Sequence, residues 1–274
     1  MNAAIPSIAQ VRRNARLYLT LQLVQLRAAV EYSGDFWIGI IGAMLQQAAG
    51  LVFIAALFTQ IPEVGGWTAW NIAILYGLAM IPKGLTEFLC DGPWMLRTQV
   101  NTGEFDRVLV RPISPALQSA TAIASIHGFG QLILGVVVLW AGMSRSEMTF
   151  TWWTLPFLLV TIAASAVMIG ALNYVINMIG FWEPSAQSAL PTLVALMIDF
   201  AKFPLDVFNL VIRGLVTVVI PYAFISYFPA LLLLDRDAPW RWLGLATPLV
   251  AALVVAFTAW LWSKALNRYQ GVGH

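Results

Sequence analysis

The sequence predicts an all-α polytopic membrane protein: six transmembrane helices, an N-terminal interfacial amphipathic helix and a re-entrant helical hairpin before the last span. Three observations carry this expectation. The 274 residues are 60% hydrophobic, include twelve Trp and have a mean hydropathy of +0.79, which is more apolar surface than a soluble domain can bury. The apolar residues come in runs of about twenty, the length at which a helix rising about 1.5 Å per residue crosses a hydrocarbon core about 30 Å thick. The fifteen Lys and Arg and thirteen Asp and Glu gather in short segments between those runs. A net charge of +2 is too small to point to nucleic acid, and basic residues so confined read as topology signals. With no polar linker or low-complexity tail, residues 1–274 read as a single integral domain.

The elements follow in chain order. Arg12, Arg13 and Arg16 open the chain, but no short apolar core with a small-residue cleavage site follows, so no cleaved signal peptide is expected. Residues 11–31 read as an interfacial helix. At 100° per residue, Arg12, Arg13, Arg16, Thr20, Arg27 and Glu31 share one stripe and Tyr18, Leu21 and Ala28 lie opposite. Leu23 and Gln25 interrupt the two faces, and a positive leader that only sets topology is the alternative. Spans are expected at 36–58, 69–89, 116–142, 154–180, 187–203 and 243–264. Between the last two, residues 204–234 are apolar but broken by Arg213, Gly214, Pro221 and Pro229. Each Pro removes a backbone donor and kinks its helix, so a pair of half-helices entering and leaving one leaflet fits better than two ordinary spans, which would make eight.

Orientation comes from counting basic residues. With six spans, Arg12, Arg13, Arg16, Arg27, Arg97, Arg107, Arg111, Lys264 and Arg268 share one side. Only Arg145, Lys202, Arg213, Arg236 and Arg241 lie on the other. The excess places both termini and the loop at 90–115 in the cytoplasm, and 204–234 on the outer side.

Little in the chain points to chemistry. Its histidines are His127 and His274, and no HExxH, GxSxG, paired intramembrane carboxylates or GxxxxGK[ST] phosphate loop occurs. Enzyme activity and direct ATP binding are therefore not expected. Cys90 is the single cysteine and reads as a small buried apolar residue. His127 is open to two readings, a proton relay or a packed polar residue. Lys83 and Glu87, four apart in the second span, are spaced to pair on one face. Glu183 precedes Pro184 in the turn before the fifth span and reads as a helix N-terminal acid. Asp199 and Lys202 either pair across one turn or face a polar vestibule.

The most polar segment, residues 95–112, contains "GEFDRVLVRP" at 103–112. This stretch resembles the cytoplasmic G-E-x-D-x-x-L-x-R-P signature of the type-2 ATP-binding-cassette (ABC-2 type) exporter permeases. The resemblance continues at "GGWTAWNIAILYGL" (65–78), at the Pro-bounded segment 203–234 and at "NRYQGVG" (267–273), which departs from the family's usual Ser at Gln270 and Gly271. It implies a permease in a bacterial cytoplasmic (inner) membrane, paired with a second permease, the same or homologous. It also implies two cytoplasmic ATPase subunits that carry the ATP and Mg. Glu104, Phe105, Asp106 and Arg107 would form the element coupled to the ATPase, with Arg111 and Pro112 at its exit. The expectation is a rigid, charged surface helix presenting Phe105 as an aromatic anchor; an ordinary positive loop is the alternative. A secondary transporter or channel is the competing function; it would need ionisable groups deep in the spans, whereas Asp and Glu lie mostly at span ends. The cargo is left open.

Overall fold

A computed structural model describes residues 8–31, 33–123, 125–146, 148–183 and 189–269. No extended strand forms among the described residues, and five helices are long and apolar enough to cross a membrane. A hydrocarbon solvent explains the preference, because only a helix satisfies every backbone donor and acceptor within its own segment. The helices are α1 (Ile8–Glu31), α2 (Ser33–Gln60), α3 (Ala69–Cys90), the short α4 (Pro93–Asn101), α5 (Phe105–Leu109) and α6 (Pro115–Ala120), then α7 (His127–Arg145) and α8 (Thr154–Asn177). After them come α9 (Ala189–Leu196), α10 (Leu210–Gly214), α11 (Tyr227–Leu233) and α12 (Thr247–Arg268). The candidate spans are Phe36–Gln60, Ala69–Cys90, His127–Arg145, Thr154–Phe181 and Arg241–Arg268.

Two expectations change. The third span begins at His127 and not at 116, because α6 ends at Ala120 and the chain leaves the helix. There Ser125 N donates to Glu87 O of α3 at 3.2 Å instead of to its own helix. Where 187–203 was expected to span, the described part is α9 followed by a 3-10 turn over Met197–Lys202; residues 184–188 lie outside the described residues. In the 204–234 region, Leu210–Val219 and Tyr222–Leu233 meet at an angle of 79° around Pro221, and if that pair is one span the count becomes six. Neither half by itself reaches the twenty residues a crossing needs.

Glycines set the packing. Gly77 and Gly84 on α3 face Gly128, Gly135 and Gly142 on α7, each set at intervals of seven. A Cβ at Gly84 would sit 2.7 Å from Gly128 O, and one at Gly77 2.6 Å from Leu139 Cβ. Small residues therefore let these two backbones touch, the usual route to helix association where no hydrophobic drive exists between apolar surfaces. Helix α1 presents Arg12, Arg13, Arg16, Thr20, Arg27 and Glu31 to the exterior, and Leu19, Leu23, Val24 and Ala28 are exposed as well. Its docking edge is polar: Gln22 Nε2 donates to Leu89 O at 2.5 Å, Tyr18 Oη to the same carbonyl, and Gln25 Nε2 to Ala122 O at 3.3 Å. Helix α1, the segment 91–123 and the end of α12 thus share one end of the bundle, called below the α1 end.

Candidate functional site

The polar segment of the α1 end is a compact unit of three short helices. Gly92 permits the first turn, since a Cβ there would lie 1.9 Å from Ser119 O. Gly103 permits the second, with φ of +74°, a conformation that costs a side-chain-bearing residue about 1 kcal/mol or more. Gln118 then ties the unit shut, its Nε2 donating to Val108 O and Ile113 O, both at 2.9 Å. Tyr174 Oη, from α8, donates to Ala116 O at 2.5 Å.

Phe105 corrects the sequence expectation. It is 0% exposed, so it cannot be an anchor offered to a partner. Its ring lies edge-on to Phe181 at 5.2 Å, Tyr269 at 5.1 Å and Trp262 at 6.4 Å. Apolar attraction and edge-to-face geometry both drive it inward. Asp106, half-buried, accepts a 2.9 Å hydrogen bond from Tyr269 Oη. Burial first, and then Asp106, push the Tyr269 phenol up to about 12. The two signature stretches at 103–112 and 267–273 are therefore in direct contact, so far as the second is described. Glu104, Arg107 and Arg111 are exposed, with Val110 83% exposed among them, which makes a charged rim with an apolar centre. Just before the unit, burial pushes the Asp91 carboxyl up to about 7, with Glu87 adding to the shift.

Inside the bundle the charges are held in pairs. Lys83 Nζ lies 4.0 Å from Glu87 Oε1, and Gln131 Nε2 of α7 donates to both Glu87 oxygens at 3.0 and 2.8 Å. Lys202 Nζ lies 2.7 Å from Asp199 Oδ1, donates to Gln47 Oε1 at 2.9 Å and sits 5.0 Å over the Tyr76 ring. The pairing across one turn is thus present in the second pair, and Lys83, Glu87 and Asp199 border one cavity of about 280 Å³. His127 is exposed, its Nδ1 3.4 Å from Ser125 Oγ. Glu183 closes the turn after α8, its N donating to Ile179 O at 3.0 Å, whereas Pro184 lies outside the described residues. No group of three or more His, Cys, Asp or Glu that could hold a metal occurs among the described residues.

At the far end Asp206 accepts from Trp67 Nε1 at 3.0 Å and from Tyr227 Oη at 2.8 Å, and Arg236 lies 4.3 Å over the Trp67 ring. This hub fastens the bent segment to the α2–α3 loop. Sequence reasoning passed over Gln47, Gln131, Tyr269 and the linking role of Asp206. The signal was present for two of them, since an uncharged Gln in an apolar span is costly unless paired.

A family model described as ABC-2 family transporter protein matches residues 44–273. No curated protein and no solved structure matches the chain.

Proposed function

This chain belongs to the ABC-2 family of transporter proteins, and from that membership we propose that it forms an export path with a second permease, driven by ATP bound to separate cytoplasmic ATPase subunits. The observation that carries the proposal is the three-helix unit: a charged rim of Glu104, Arg107 and Arg111 outside, and Phe105 and Asp106 fastened inside to α8 and α12. Such a unit transmits a push. An ATPase moving against the rim displaces the ends of two spans through the ring contacts of Phe105 with Phe181, Trp262 and Tyr269. Both termini and this unit would face the cytoplasm, as the count of basic residues indicates. The bent segment would then enter and leave from outside, fastened by Asp206. Against an ion-driven transporter stands the pairing of Glu87 and Asp199 with neighbouring cations, since a coupling carboxylate must be free to exchange its ion.

The test is the double variant Glu104→Ala, Arg107→Ala. Both side chains are exposed, so insertion and melting temperature should match the wild type. Loss of hydrogen-bonded charge contacts at an interface costs about 2–5 kcal/mol, so co-purification with the ATPase should fall tenfold or more and export should fail. Wild-type association and export would reduce the rim to a positively charged loop. Asp106 is a poor target for this purpose, because its removal also strands Tyr269.

A further inference from the structure

The cavity bordered by Lys83, Glu87 and Asp199 lies between α3, α8, α9 and the start of α4, and its lining runs from Trp94 at the α1 end to Tyr222, just past the bend at Pro221. We propose that it is a cargo subsite that takes an uncharged group bearing both a hydrogen-bond acceptor and a donor, an amide or a hydroxyl. That the occupant is cargo rests on the export reading above; its chemistry rests on the walls.

The charges of the wall sum to zero. Lys83, Glu87 and Asp199 line the cavity, and Lys202 pairs with Asp199 from outside the lining. Each ion has an opposite charge beside it, at 4.0 Å for Lys83 and Glu87 and at 2.7 Å for Lys202 and Asp199. A charged occupant would therefore leave one buried charge without a counter-ion. A zwitterion would keep the balance, but it would surrender the hydration of two ions and displace partners already in place. An uncharged group pays neither cost.

The neutral side chains of the wall ask for hydrogen bonds. Tyr222 is 2% exposed and Asn173 8%, and both line the cavity. Among the described residues neither the Tyr222 hydroxyl nor the Asn173 amide makes a hydrogen bond, although buried polar groups nearly always have a partner. The Lys83 ammonium is in the same position, since 4.0 Å to Glu87 is longer than a hydrogen bond. These three offer N–H and O–H donors. Acceptors face them across the same space: Asn173 Oδ1 and the Asp199 carboxylate, whose side chain is 50% exposed. An apolar occupant would strand both sets, and a group with a C=O and an N–H, or a hydroxyl, answers both. Ile169, Leu196 and Ile198 give an apolar wall for the body that carries the group. The volume, about 280 Å³, lies near the lower end of small-molecule pockets, room for one such group and a short part of its body.

The experiment places the full chain, without ATPase or ATP, in phosphatidylcholine nanodiscs. Photoprobes share an octyl chain with a diazirine beside the head, and the head is an N-methylamide, a hydroxyl, a trimethylammonium, a carboxylate or a betaine. Adducts mapped by mass spectrometry should gather at Trp94, Asn173 and Ala195 with the amide and hydroxyl probes, several-fold above those at exposed Leu249 and Leu253. With the charged and betaine heads they should fall to that background. Tyr222→Phe and Asn173→Leu remove groups that hold nothing in the fold, so both should melt at or above the wild-type temperature. Each should nevertheless lower the cavity yield about threefold or more, the effect of losing one neutral hydrogen bond. Background yields with every probe, which would mean a cavity holding water alone, would overturn the proposal. So would a charged probe that labels the cavity as strongly as the amide, or wild-type labelling of both variants. The rim variant Glu104→Ala, Arg107→Ala should label like the wild type, so that loss of ATPase coupling and loss of this subsite read out separately.

Discussion

Tyr269→Phe removes one hydroxyl and leaves the ring that packs against Phe105 and Phe181. The hydroxyl makes a single hydrogen bond, donated to Asp106 Oδ1 at 2.9 Å across 163 residues of chain. A hydrogen bond to an ionised acceptor contributes about 1.5–3 kcal/mol, and because both partners are only half-buried the lower part of that range applies, about 1–2 kcal/mol. At roughly 2–4 °C per kcal/mol for a chain of this size, the purified permease should melt a few degrees lower. Asp106→Ala should cost about as much, and the double variant little more than either single one, with a coupling energy of about 1–2 kcal/mol in the cycle. Because the bond holds the C-terminal end of α12 to the three-helix unit, ATP-dependent export should fall in proportion while ATPase association persists, the exposed rim being intact. Additive losses in the double variant, or a Tyr269→Phe protein that melts like the wild type, would refute the claim that these two signatures act as one joint.

Three further outcomes follow from the structure. Burial pushes the Asp91 carboxyl up to about 7 in the fold against about 3.9 unfolded, so the folded state holds the extra proton between those values; the contribution of Asp91 to stability should be full below about pH 4 and lost as pH rises through about 7, and melting of Asp91→Asn should lose that part of the slope. Gly84→Ala drives a Cβ to 2.7 Å from Gly128 O, whereas Gly42 has nothing within 4 Å; the first should destabilise by about 1–3 kcal/mol or more and Gly42→Ala should be neutral or slightly stabilising in a thermal melt. Asp206→Ala strands Trp67 Nε1 and Tyr227 Oη, which should cost about 1–3 kcal/mol and raise protease sensitivity in 204–234 while α3 and α7 stay protected.

The sequence by itself determined the solvent and the lengths of the main spans. Apolar runs such as 69–89 and 154–180 are local properties, and a helix in hydrocarbon satisfies its own backbone wherever its neighbours are. Pro221 was likewise legible as a break, because a missing donor is a property of one residue. The signature at 103–112 named the unit that bears the rim, and the spacing of Lys83 and Glu87 named an ion pair. Only the tertiary structure decided which way Phe105 points, since α5 has five residues and is too short for a periodic pattern to separate a buried face from an exposed one. It also set the start of the third span at His127, just after Ser125 N bonds to Glu87 O across the bundle. Gln131 became the holder of Glu87, Gln47 that of Lys202, and Tyr269 the partner of Asp106. Each of these is a donor meeting an acceptor tens of residues away or more, and hydrogen bonds form within about 3 Å of space, a distance that spacing along the chain does not encode until the helices have packed.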